Sequence, residues 1–221
     1  MTSAYFQFFE ELKLNNNRDW FLANKARYEH DAKEPFMALI EKIVEALKPN
    51  EPDLALVPIK QMLFRINKDI RFSKDKLPYK EHLAASISRY GTKDKIYPGH
   101  YLQISSENAF IAGGAYFFEQ KETLHRVRQF MAQNPERFSE LINHADFKKY
   151  WGEIRGEKNK RIPPEFVEDH KIQPLIANTQ FYWHQEISRE DILSDKFIEI
   201  IKNHFTAALP MNAFLVEAIY E

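Results

Sequence analysis

Six basic side chains, Arg65, Lys68, Arg71, Lys74, Lys76 and Lys80, fall in the run from Phe64 to Lys80 against two acidic ones, Asp69 and Asp75. The whole chain sums to -1, so this excess of four positive charges is local and the remainder carries -5. A concentrated cationic field suits an anionic guest. If the segment folds back on itself, several heads converge on one phosphate or carboxylate, Arg offering a planar fork of donors and Lys a point charge. Ser73 and Tyr79 add hydroxyls that can orient the guest. The expected ligand-binding set is therefore Arg65, Arg71, Ser73, Lys74, Lys76, Tyr79 and Lys80, floored by the small residues Ala84, Ser86 and Ser88 and by Gly113 and Gly114. A competing reading makes Asp69 and Asp75 neutralise the cations within a salt-bridged loop. A third makes the segment an interaction surface for a protein or nucleic acid, with Phe72 and Tyr79 stacking between phosphate contacts. No nucleophile or general base stands out, so catalytic residues, cofactor and enzymatic activity stay open.

Other chemistry is thinner. Ser73-Lys74-Asp75-Lys76 has the Ser-x-x-Lys form of serine hydrolases, but no Ser-Asp-Asn or Lys-Thr-Gly accompanies it and Pro78 opposes the helix that chemistry needs. The eight histidines are scattered singly, without His-Glu-x-x-His or His-x-His, so no metal site is expected. Strand alternation sets Tyr182, His184 and Glu186 on one face, a possible arrangement for acid–base work for which cross-strand packing is the favoured explanation. Gly113-Gly114 lacks the frame of a phosphate loop and reads as a bulge or a close backbone approach. Arg18-Asp19-Trp20-Phe21 reads as a capped helix start with buried rings. Cysteine is absent, which excludes disulfides, thiolate nucleophiles and iron–sulfur ligation.

Positioning these residues requires a scaffold, and the pattern predicts an α+β fold. Helical periodicity covers 3–13 and then 18 to about 34, with Asn17 as cap, after which Pro35 either kinks the chain or opens the next helix. Phe36, Leu39, Ile40, Ile43, Val44 and Leu47 continue at helical spacing. Alternation then marks strands at 62–66, 83–87, 101–105 and 110–116, the last two a hairpin, with a further strand at 181–187. Helices return after Glu119, at Pro135, after the capping box Ser188/Asp191 and again after Pro210, while 151–179 is irregular. The expectation is a central antiparallel sheet of about four to five strands flanked by N-terminal and C-terminal helices. It forms one domain over 1–221, with helices in 1–50, mainly sheet in 58–117 and mainly helix in 119–221. The near-neutral balance of 31 basic and 32 acidic residues gives no general drive toward nucleic acid or membrane. The first residues lack a basic head followed by an apolar run, and no stretch approaches the roughly 18 apolar residues of a membrane span, so a soluble cytoplasmic protein is expected.

As a set, Asn16-Asn17-Arg18-Asp19-Trp20-Phe21, Phe64-Arg65-Ile66, Arg71-Phe72-Ser73-Lys74-Asp75-Lys76-x-Pro78-Tyr79-Lys80, Gly99-His100-Tyr101-Leu102 and Ala112-Gly113-Gly114 resemble the family known as domain of unknown function 2461. The resemblance runs in the same order over nearly the whole chain. It departs at His100, where such proteins usually carry Tyr, and at Ala115, where they carry a third glycine. It implies a mostly bacterial single-domain protein and no particular activity.

Overall fold

The computed structural model describes residues 1–71 and 75–221. The predicted N-terminal helices form as α1 (Ser3–Leu14), α2 (Arg18–Ala23), α3 (Lys25–Arg27) and α4 (Glu34–Leu47). Each of the three asparagines after α1 has a separate task. Asn15 stands at the C-cap of α1 with its backbone N–H on Leu12 O. The Asn17 side chain accepts from the Trp20 N–H at the start of α2. Asn16 reaches across to Tyr79, as described below. Pro35 stands in the first turn of α4, so of the two expectations it is the opening of a helix that forms. A π-helical turn, Tyr28–Lys33, immediately precedes it, so the helical register widens just where proline removes one hydrogen bond and crowds the preceding turn.

Four strands follow, β1 (His82–Ile87), β2 (Gly99–Ser105), β3 (Asn108–Ala115) and β4 (Phe181–Ser188), in one antiparallel sheet of order β1-β2-β3-β4. In β2 and β3 every second residue is buried, the half-covered alternation expected of an antiparallel layer. The strand expected at 62–66 is corrected: Met62 ends a short helix, α5 (Ile59–Met62). The chain beyond it pairs with β1 at an isolated bridge between Leu63 and Ala85, and with the residues before β1 at a second bridge between Asn67 and Tyr79. Helices α6 (Lys121–Gln133), α7 (Pro135–Asn143), α8 (Ala145–Tyr150), α9 (Val167–Ile172), α10 (Arg189–Leu193) and α11 (Phe197–Tyr220) complete the order. Ser188 caps α10 as predicted, accepting from Asp191 N–H. Pro210 lies inside α11, so no helix restarts there.

The chain divides into two compact units whose boundaries fall within β2, β3, β4 and α11. One comprises 1–93, 101–111 and 186–202, the other 94–100, 112–185 and 203–221. The first is built on the aromatic face of α1. Tyr5, Phe6, Phe8 and Phe9 are fully buried, and the Tyr5 hydroxyl donates to Ile104 O at 2.8 Å. The second is centred on Trp151, Trp183, Phe205 and Phe214, with the His100 ring stacked on Phe205 at 4.3 Å. No helix among the described residues is long and apolar enough to cross a membrane.

Candidate functional site

The basic run begins as the irregular edge of the sheet. Phe64 N–H donates to Ala84 O, Lys80 N–H to Ile66 O and Lys68 N–H to Pro78 O, each at 2.9 Å, so residues 64–68 and 78–84 lie antiparallel. The turn end of this ribbon is held from the helices. The Asn16 amide donates to Tyr79 O at 3.0 Å and accepts from Tyr79 N–H at 3.2 Å, bracketing one peptide unit as a sheet partner does. The Tyr79 ring is buried and stacks on Phe21 with centroids 4.0 Å apart. Tyr79 thus fixes the ribbon to α2 by packing on Phe21.

Much of the predicted cationic set is answered locally. Lys68 Nζ lies 2.6 Å from Asp75. Arg71 donates to both oxygens of Asp69, at 3.0 and 2.8 Å, and adds its backbone N–H. These bonds hold the Asp69 carboxyl down at about 2. Lys76 Nζ donates to Ile70 O at 3.0 Å. The half-buried Lys80 sets its ammonium 5.5 Å from the Phe64 ring centroid, and burial, then Arg65, lower its pKa. Beside it, burial first and then Lys80 and Lys68 push the His82 imidazole down to about 4. Ser73 and Lys74 lie outside the described residues.

Arg65 is different. It is exposed and has no ion pair among the described residues, and it lines a hollow of about 500 Å³ in the first unit. The walls are the π turn (Tyr28, Glu29, Lys33), Phe21, Phe36 and Met37 from the helices, and Leu63, Phe64, Ile66, Leu83 and Ala84 from the sheet edge. Lys25 and Lys60 join Arg65 at the lining, also without ion pairs among the described residues. Lys33 is paired with Glu29 at 2.6 Å. Burial raises the Tyr28 phenol to about 12, so it stays protonated and able to donate. Neither Lys25 nor Lys60 belongs to the basic run, and no motif marks them. Their signal is only that each sits at the start of a short helix, α3 and α5 respectively, that the topology brings to Arg65.

The glycine pair does not floor a ligand site. A Cβ on Gly113 would stand 2.6 Å from Trp183 Nε1, and one on Gly114 would strike Phe181 O, so protein already occupies the bare backbone. Gly114 also holds φ +94, a conformation that glycine alone adopts freely. β3 runs through both, and these contacts make it a close backbone approach. Ser88 is buried and donates to Gly91 O at 3.3 Å. In the trio on β4, Tyr182 and His184 stack with centroids 6.1 Å apart, while Glu186 accepts from the Asn108 amide at 3.1 Å. No cluster of three or more metal-ligating side chains occurs among the described residues.

A helix-flanked antiparallel sheet, whose irregular edge and π turn enclose a cation-bearing hollow, defines an α+β protein with a concavity of small-molecule size. The chain belongs to the family described as conserved hypothetical protein (DUF2461), which matches residues 4–214. No curated protein and no solved structure matches it.

Proposed function

We propose that the protein binds a small anionic ligand, bearing a phosphate or carboxylate, in the hollow of its first unit, with Arg65 as the principal charge and Lys25 and Lys60 beside it. The carrying observation is that these three cations line one concavity with no ion pair among the described residues, while Lys68 and Arg71 nearby are engaged by carboxylates. A cation left without a carboxylate at a concave apolar site is available to a guest. The π turn in the wall adds support, because such turns recur at functional sites. The local neutralisation of Lys68 and Arg71 weakens the alternative of a protein or nucleic-acid surface, since it reduces the phosphate charge the run can take up.

The reading is tested by thermal-shift screening of the full chain against phosphates, nucleotides and carboxylates. At least one anion is expected to raise Tm. Arg65→Ala should weaken it roughly tenfold, the loss of one charge-assisted contact, and Arg71→Ala should leave it unchanged. An anion that stabilises wild type and Arg65→Ala equally removes Arg65 from the site. Binding to single-stranded nucleic acid that weakens steeply with salt and depends on Arg71 favours the polymer alternative instead.

A further inference from the structure

Resting on that anion-binding reading of the same hollow, we infer that its natural occupant is an amphipathic anion, one carboxylate or phosphate head on an apolar acyl or aryl body. A hollow of about 500 Å³ is far larger than a bare inorganic anion, and falls within the few hundred to about 1,000 Å³ typical of small-molecule sites. Its accessible apolar lining is Met37, Leu63 and Phe64, backed by the buried Phe21, Tyr28, Phe36 and Leu83. A phosphate or acetate ion alone would leave Met37, Leu63 and Phe64 facing water. The opposite extreme, a nucleotide, needs several polar groups for its sugar and base. Among the described lining residues Asn67 is the one neutral amide, and the Tyr28 hydroxyl the one alcohol.

The charge arrangement sets the head group. Five ionisable charges line the hollow, and Glu29 is already matched with Lys33, which leaves Arg65, Lys25 and Lys60. One anionic head placed at Arg65 matches a fork of donors, and the flexible lysines add point charges around it. The apolar body then lies along Phe64, Leu63 and Met37. Each methylene removed from water there should tighten binding roughly threefold to fourfold.

Calorimetric titration of the full chain with acetate, hexanoate, octanoate and decanoate below their micelle concentrations, and with octyl phosphate, inorganic phosphate and octanol, tests the inference. Affinity is expected to climb about threefold or more per methylene along the acids. It should fall roughly tenfold in Arg65→Ala, and be lost in Met37→Glu, which sets a like charge in the wall. Comparing octanoate with octyl phosphate tells the two head groups apart. If acetate or inorganic phosphate binds in an Arg65-dependent way and longer chains gain nothing, the amphipathic assignment is overturned while the anion site stands. If no anion binds, both readings fall together. Octanol binding as tightly as octanoate overturns the role of the cations, and chain-length gains that persist in both variants overturn this hollow as the location.

Discussion

The glycine strand of the second unit and the hollow of the first both look, by residue type, like places left open for a guest, yet they are built on opposite terms. At Gly113 and Gly114 the missing side chains make room for Trp183 and the Phe181 carbonyl, so openness in the sequence becomes close packing in the fold. At Arg65, Lys25 and Lys60 the charges line a hollow with no ion pair among the described residues. The arginines repeat the contrast. Arg128, buried at 5% exposure, donates to the carbonyls of Ile176 at 2.8 Å and Asn178 at 3.0 Å and holds the irregular 151–179 segment in place. Arg65 is exposed and makes no such bond among the described residues. An arginine that satisfies buried carbonyls belongs to the scaffold, whereas one beside an apolar concavity without a partner is available for recognition.

The comparison breaks most visibly if Gly114→Ala is tolerated. That substitution forces a Cβ onto backbone at φ +94 and against Phe181 O, so a loss of about 3–5 kcal/mol is expected in urea denaturation. Next, Arg128→Met should cost about 2–4 kcal/mol, because two buried carbonyls lose their donors, while leaving octanoate affinity unaltered in the fraction that folds. A loss of binding there would dissolve the distinction between the two arginines.

A pH series sharpens the contrast inside the first unit. His82 is held near 4 when folded and returns toward 6.5 when unfolded, so its neutral form's contribution is fully present above 6.5 and is lost as pH falls from 6.5 toward 4. After discounting for the partly exposed ring, the loss should be on the order of 2 kcal/mol. The urea midpoint of wild type should therefore fall over that window more steeply than that of His82→Gln. The smallest effects belong to the surface cations: Lys68→Ala and Arg65→Ala should each shift stability by less than about 1 kcal/mol, one losing a partly exposed ion pair and the other losing none among the described residues. Arg65→Ala alone should lower anion affinity.

Much of the scaffold was legible because its signals are local. α1, the caps at Asn17 and Ser188 and the four strands follow from periodicity and short-range hydrogen bonding. Where local signals misled, tertiary packing had overridden them. Met62 through Ile66 alternates like a strand, yet Met62 ends a helical turn and Leu63 makes an isolated bridge to Ala85. Pro210 looks like the start of a new helix, but α11 runs through it. Of the predicted ligand residues, Arg65 lines the hollow, while among the other described members Arg71, Lys76, Tyr79 and Lys80 meet protein groups of their own.

The amino-acid order alone determined the α+β class, the helix caps and the localisation of positive charge in one run, since these rest on residues within a turn or two of each other. Which cations are neutralised, and which face a hollow, was decided only in three dimensions. Asn16 fastens Tyr79, and Lys25 and Lys60 come to Arg65, through contacts between stretches far apart in the chain. Charge availability depends on those distances and on the dielectric around each head, and neither is encoded in any single segment.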